Sequence, residues 1–236
     1  ENYDGRYSWN EAETYFNRVI QGMRRNVFKM LHFMKNVIRY GKARYPLQNA
    51  VNLSGSNYTN MKLANEGAPF LPLFHSIGVD FINAGMCTSK ENRKDVILYN
   101  PAKPSRLTRK LVKRGKYAYV SIQSMTVDQM IELFRQAKVY IDFGNFPGPE
   151  RLPKETVFNG VNVLVWNLHA AETDDVLVPQ QYKISVNSKV EDVEFLLGEM
   201  LRHYQEQNQD FDDFREMIAQ LQSEYDLQLD AICHVL

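Results

Sequence analysis

The residues best suited to chemistry lie in one loop, which runs from Asp142 to Glu155 and follows an apolar stretch. Its glycines let the backbone approach a ligand closely, and its last residues open a predicted helix whose N-terminus favours anions. Arg151 and Lys154 add positive charge that suits a phosphate group. Glu155, in the predicted first turn of that helix, is placed to accept hydrogen bonds from ribose or sugar hydroxyls. The alternative is that Glu155 only complements the helix dipole.

Two further loops follow predicted strands. They run from Tyr99 to Lys103 and from Trp166 to Ala170. In open parallel sheets, ligands bind beyond the carboxyl ends of the strands. We therefore expect all three loops to border one ligand site.

Other constellations carry less weight. Asp210 and Asp212 form a D-x-D pattern at a predicted helix start, which favours a surface cap over a metal site. The five histidines and two cysteines have no zinc spacing, and neither G-x-S-x-G nor a P-loop occurs. His75 is a candidate general base, with a structural histidine as the alternative. Tyr117 and Tyr119, beside basic residues, could stack on nucleic acid, but alternating tyrosines on a strand favour cross-strand packing.

The loops must be positioned by strands and helices that alternate from Asp95 onward. Continuous apolar strands between helices predict an α/β fold with a Rossmann-like parallel sheet flanked by helices. The predicted strands are Asp95–Asn100, Tyr117–Ile122, Lys138–Phe143, Val161–Trp166 and Tyr182–Val186, and the predicted helices are Pro104–Arg114, Thr126–Ala137 and Lys154–Asn159.

Mainly helical regions flank this predicted sheet. The apolar periodicity of residues 9–40 predicts a long amphipathic helix with an apolar and a basic stripe, which suits packing on its own domain or lying on an anionic membrane. Asn57 to Glu66 reads as a short helix and Pro69 to Ile82 as strand or loop, and the acidic tail from Val190 is helical. The sequence thus predicts a partial, partly helical N-terminal region at 1–90, a sheet domain at 91–190 and C-terminal helices that pack back at 191–236.

Composition and charge narrow the class of protein. The 236 residues are 44% hydrophobic and 24% charged, as in ordinary globular chains. Two cysteines give no disulfide framework, which favours a cytoplasmic location, with the inner membrane face as a peripheral contact. Residues 88–116 hold ten basic and two acidic side chains, whereas residues 187–236 hold three and twelve. This asymmetry steers anions to one face or draws the two segments together.

The start of the chain also bears on its organisation. The sequence opens at Glu1 rather than Met and shows no signal peptide. We therefore expect a trimmed chain, a processed product or a domain of a longer protein.

Motifs in and around the long loop carry a resemblance to a known family. The loop contains Asp142-Phe143-Gly144 and then P-G-P-E-R-L-P-K-E at 147–155, with Gly160 before the next strand. Residues 99–103 read Y-N-P-A-K, and D-V-L-V-P at 175–179 precedes Tyr182-Lys183. Over about residues 50–236, these motifs together resemble glycosyltransferases of the GT-B type, in particular bacterial surface-polysaccharide sugar transferases.

The resemblance implies that the sheet domain binds a nucleotide-sugar donor and that a hexosyl group passes to a glycan or lipid-linked acceptor. Glu155 matches the second glutamate of an E-x7-E pattern that holds donor hydroxyls, and Lys103 matches a basic residue that meets the diphosphate. Glu155 and His75 are the expected catalytic residues. Neither a metal nor a cofactor besides the donor substrate is implied. The expected donor-binding residues are Asn100, Lys103, Gly144, Gly148, Glu150, Arg151 and Glu155.

Two departures from the family pattern leave alternatives open. Pro147 stands where the first glutamate of E-x7-E belongs, and Glu150 is the candidate substitute. Only about 90 residues precede the donor domain, fewer than a first Rossmann-like domain needs. The alternative function is a non-catalytic nucleotide-binding or scaffold module. A further alternative is that a partner chain, identical or different, contacts the predicted helix at 9–40 and supplies the missing domain.

Overall fold

The computed structural model describes residues 51–102, 105–146, 148 and 150–235. The predicted helix at 9–40 and the predicted binding residue Lys103 lie outside the described residues. Within these ranges the strands are β1 Asn52–Ser54, β2 Phe70–Pro72, β3 Lys94–Tyr99, β4 Ala118–Ser121, β5 Ala137–Asp142, β6 Asn162–Trp166 and β7 Lys183–Ile184.

Five of these strands form one parallel sheet in the order β4-β3-β5-β6-β7. Its central strands are almost continuously apolar, and Ile97, Leu98, Val139 and Leu164 are fully buried. A parallel sheet needs such strands because helices cover both of its faces. The predicted α/β fold with a parallel sheet is therefore confirmed.

Two groups of helices flank the sheet. On one side, the helix Arg106–Arg114 contacts the helix Val190–Arg202. On the other side, the helix Arg151–Phe158 contacts the helices Val79–Met86 and Asp212–Val235. No helix in the described part of the chain is long and apolar enough to cross a membrane. The helices are α1 Asn57–Asn65, α2 Val79–Met86, α3 Arg106–Arg114, α4 Val127–Gln136, α5 Arg151–Phe158, α6 Val190–Arg202, α7 Tyr204–Asn208 and α8 Asp212–Val235.

Several helices begin or end where local sequence signals predict. Thr126 Oγ1 accepts a hydrogen bond from the Gln129 backbone N–H at 3.3 Å, and the Gln129 side chain accepts one from the Thr126 N–H at 2.9 Å. This reciprocal capping box fixes the start of α4. At the end of α3, Gly115 adopts a φ of 61°, a left-handed conformation that glycine adopts without steric cost.

Two predicted boundaries are wrong. Residues 69–82, predicted as strand or loop, contain β2 and then the first turn of α2, because the prolines lie upstream of Gly78, which caps that helix. Helix α5 begins at Arg151 rather than Lys154. Pro153 is its third residue, where the missing N–H costs no hydrogen bond because the first four N–H groups of a helix have no intrahelical acceptor.

The elements upstream of β3 are joined to the sheet by buried polar contacts. The Asp175 carboxylate accepts hydrogen bonds from the backbone N–H groups of Asn57 and Tyr58 at 2.7 and 2.8 Å, at the start of α1. The Asn159 side chain, after α5, donates to the Phe81 carbonyl of α2 at 3.1 Å. These contacts hold both upstream helices against the segments that follow β5 and β6.

The close approach of α2 to α5 gives a prediction about stability. A Cβ atom added at Gly85 would lie 2.6 Å from the Phe158 carbonyl oxygen, and backbone cannot move aside cheaply. We expect Gly85→Ala to lower the free energy of unfolding by about 1–3 kcal/mol, the usual cost of overpacking. Gly78→Ala is the control, because its Cβ would meet only the Phe81 ring at 3.6 Å. Urea unfolding measures the free energy of unfolding of both variants. Equal values would contradict the close contact between Gly85 and Phe158.

Candidate functional site

The strand order places two of the predicted loops at the point where the winding of the sheet reverses. Strand β3 lies between β4 and β5 in the sheet. The chain therefore passes from β3 to β4 on one side and then crosses back to β5 on the other side. In doubly wound sheets, ligands bind outside the carboxyl ends of the strands at this reversal. Those ends are Tyr99 in β3 and Asp142 in β5. The loop that begins after Tyr99 and the loop that begins at Asp142 therefore flank the expected ligand position.

Hydrogen bonds to Asp142 fix the start of the long loop. Its buried carboxylate accepts a bond from the Tyr140 hydroxyl at 2.8 Å and one from the Gly144 backbone N–H at 3.1 Å. Burial and the neighbouring Asp142 charge raise the pKa of the Tyr140 hydroxyl well above its usual value. Tyr140 thus stays a neutral donor, and the first turn of the loop is held by a buried carboxylate.

The helix that follows the loop begins earlier than predicted, and this changes the position of Glu155. Glu150 is the N-cap and is buried, and Arg151 is the first helical residue. Glu155 is therefore the fifth helical residue, in the second turn. The expectation that Glu155 lies in the first turn is wrong. Its side chain, rather than its backbone N–H, is the part available to a ligand, because only the first four N–H groups lack helical acceptors.

Glu155 is paired with Arg151, its neighbour one turn earlier. The Arg151 guanidinium donates to Glu155 Oε1 at 3.0 Å, and the side chains of Arg151 and Glu155 are 63% and 5% exposed. Burial raises the pKa of the Glu155 carboxyl, and the Arg151 charge lowers it in part. One solvent-facing cation thus pairs with one buried carboxylate.

Lys154 is not among the expected donor-binding residues, although the sequence marks it as a cation that suits a phosphate. Its side chain is buried, and its ammonium donates to the His75 backbone carbonyl at 3.4 Å, a long hydrogen bond. Burial lowers the pKa of Lys154, whereas the Asp175 and Glu150 charges raise it. The sequence signal was present, since Lys154 follows a glycine-rich loop, but an amphipathic helix pattern did not predict that a lysine there would be buried.

His75 lies next to this charged turn. Its backbone contacts Lys154, and its imidazole lies 6.3 Å from the Tyr225 ring, centroid to centroid. Burial, followed by the Lys154 charge and that of Arg151, lowers the pKa of His75. The imidazole is therefore mainly neutral at pH 7 and able to accept a proton. The structure thus places the His75 backbone beside Lys154, the residue before Glu155.

The remaining predicted residues within the described part of the chain belong to the two loops. The Asn100 side chain accepts a hydrogen bond from the Ala102 N–H at 2.9 Å, so it shapes the turn after β3. Gly144 and Gly148 are buried in the long loop. A mainly apolar hollow of about 440 Å³ lies between the end of β3 and α3, which the sequence did not predict; its lining is Tyr99, Pro101, Thr108, Arg109, Val112 and Lys113.

The aspartates of the D-x-D pattern bind protein groups. Asp210 accepts hydrogen bonds from the Tyr182 hydroxyl at 2.5 Å and from the Gln181 side chain at 3.1 Å, and Asp212 pairs with Arg215. Among the described residues, no group of three or more histidine, cysteine or acidic side chains is arranged to hold a metal ion. These contacts favour a structural role for both aspartates.

Comparisons with known proteins do not assign this chain to a family. Neither the protein-family models nor the curated proteins that were compared gave a match to the sequence. The site must therefore be interpreted from its own residues.

The raised pKa of Glu155 predicts a pH-dependent effect on stability. A carboxyl whose pKa is higher in the folded chain than its ordinary 4.5 contributes stability that is present below that value and is lost as pH rises through the folded pKa. Glu155→Gln mimics the protonated form. We therefore expect the variant to melt above the wild type at pH 7, with the difference disappearing as pH falls below 4.5.

Circular dichroism between pH 3.5 and 8 measures this difference. Glu132→Gln is the matched control, since it removes an exposed carboxylate that pairs with Arg135 in α4. Surface pairs of this kind contribute about 0–1 kcal/mol, so the control should melt close to the wild type. A Glu155→Gln variant that melts clearly below the wild type at pH 7 would show that the charged carboxylate is needed for the fold.

Proposed function

We propose that the crevice between the ends of β3 and β5 binds a nucleotide-sugar donor and that the protein is a glycosyltransferase. The observation that carries this proposal is the turn at 150–155, where Glu150, Lys154 and Glu155 are buried beside the loops of the strand reversal. Buried ionisable groups with shifted pKa values are costly in a purely structural turn and are frequent in functional sites.

The donor diphosphate would be held by the cations of this turn. Lys154 has a buried ammonium whose hydrogen bond to a neutral carbonyl is long, and an anion would stabilise it further, beyond the attraction of the Asp175 and Glu150 charges. Arg151 is exposed enough to turn from Glu155 toward a phosphate. Lys103, which the family resemblance assigns to the diphosphate, follows β3 in the sequence. Positive charge here would also stabilise the nucleoside diphosphate as it leaves.

The sugar and the base of the donor would occupy different parts of the crevice. When Arg151 turns to the diphosphate, Glu155 is freed to accept hydrogen bonds from sugar hydroxyls. The apolar hollow beside Tyr99 and α3 is large enough for a nucleobase. A neutral His75 is a candidate base for the acceptor hydroxyl, since its backbone contacts Lys154 of the charged turn.

Replacing Arg151 should weaken the binding of the diphosphate. We expect Arg151→Ala to raise the Kd for the nucleoside diphosphate that binds, out of UDP, GDP, ADP and dTDP, by about tenfold, because charge-assisted hydrogen bonds contribute about 1.5–3 kcal/mol. The loss should shrink at high salt. Arg135→Ala is the matched control, because it breaks the ion pair with Glu132 in α4. Calorimetry with unchanged affinity in Arg151→Ala would place Arg151 outside the site.

Glu155 should discriminate the sugar rather than the diphosphate. We expect Glu155→Gln to lower affinity for a nucleotide sugar more than for the corresponding nucleoside diphosphate, because the hydroxyl contacts depend on the carboxylate. Competition binding with both ligands measures the two losses separately. Equal losses for the two ligands would mean that Glu155 does not contact the sugar.

Donor turnover separates the enzyme from a non-catalytic module that binds the same ligand. A glycosyltransferase should release nucleoside diphosphate slowly when water accepts the sugar of the bound donor. The release should be faster when an acceptor is present. A module should bind the donor without releasing product. A chain that binds none of the four nucleoside diphosphates at millimolar concentration would contradict both functions.

A further inference from the structure

A second cavity, which is polar and has a volume of about 290 Å³, lies at the opposite end of the strands. It is bordered by the segment that precedes β3, by the start of β5 and by the junction of α6 with α7. We call it the amino-edge cavity, because β3 and β5 begin there. Its charged and titratable lining consists of Lys90, Arg93, Lys138, Arg202, His203, Tyr204 and Glu206.

Lys138 and neighbouring Arg215 lie deeper at the amino-edge cavity than the carboxylates that pair with them, whereas Arg202 lies at the rim and is more exposed than its partner Glu199. The side chains of Lys138 and of neighbouring Arg215 are 20% and 15% exposed, whereas those of Asp95 and Asp212 are 70% and 60% exposed. Glu206, the carboxylate in the lining, is 82% exposed. Solvent screens charges at the rim more strongly than charges at the floor. The floor of the cavity therefore carries a positive potential.

Arg93 forms the fixed part of this floor. Its guanidinium is buried and donates to the backbone carbonyls of Phe134, Ala137 and Asn159 at 2.5, 2.8 and 2.8 Å. Carbonyl oxygens satisfy its hydrogen bonds but do not neutralise its charge. Burial, together with the charges of Arg215 and Arg93, lowers the pKa of Lys90 despite its contact with Asp212.

We propose that the amino-edge cavity binds a small phosphate-bearing anion, such as inorganic pyrophosphate or the phosphate end of a metabolite. The cavity volume suits a group of that size, and Lys90, Lys138 and Arg202 reach it from three different segments of the chain. Phosphate oxygens accept several charged hydrogen bonds at once, which a cluster of separate cations can provide. This site is distinct from the proposed donor site, because the two lie at opposite ends of the same strands.

Calorimetry with inorganic pyrophosphate at low salt tests the proposal. The double variant Lys90→Gln/Arg202→Gln removes two exposed cations of the cavity, so it should fold, as circular dichroism will confirm. We expect its Kd for pyrophosphate to rise about tenfold or more, given the cost of losing charged hydrogen bonds. The control Lys116→Gln/Arg135→Gln removes the same charge from residues that do not line the cavity.

The variant Arg151→Ala distinguishes this cavity from the proposed donor site. The proposal requires a pyrophosphate site that persists in Arg151→Ala and in the control but is lost in Lys90→Gln/Arg202→Gln. It is overturned if the wild type binds no pyrophosphate, if the control loses as much affinity as the cavity variant, or if Arg151→Ala alone abolishes binding.

Discussion

The burial of charge at the start of α5 is the constraint on which this structure depends. Glu150, Lys154 and Glu155 occupy one short stretch and are all buried, which costs solvation free energy unless each is compensated. Arg151 compensates Glu155, while Asp175 and, more weakly, Glu150 attract Lys154. A helix that begins with such residues must be held by its neighbours, and α5 is packed against β6, α2 and α8.

The same compensation ties the upstream elements to the sheet. Asp175 not only attracts Lys154 but also accepts two backbone hydrogen bonds at the start of α1. The His75 carbonyl accepts the bond from Lys154, and the next residue upstream, Phe74, donates its N–H to Gln228 of α8 at 2.7 Å. The candidate site therefore lies where three parts of the chain meet, which is a common position for ligand sites.

The sequence predicted what depends on local signals and missed what depends on packing. The five strands and the Thr126 cap follow from apolar runs and capping chemistry, so they were predictable. The first residue of α5 was not, because a proline in the first turn is compatible with two helix starts. The burial of Lys154 and the carbonyl contacts of Arg93 join residues far apart in sequence, and no periodicity reveals them.

Hydrogen exchange tests the position of the ligand site most directly, because it reports on backbone at both edges of the sheet in one experiment. The chain would be compared with and without millimolar UDP, GDP, ADP or dTDP, and exchange would be followed by mass spectrometry of peptides. We expect slower exchange in peptides that cover residues 99–102 and 143–155 with at least one nucleotide. Binding without protection in either loop, or protection confined to the amino edge around residues 89–94, would contradict it.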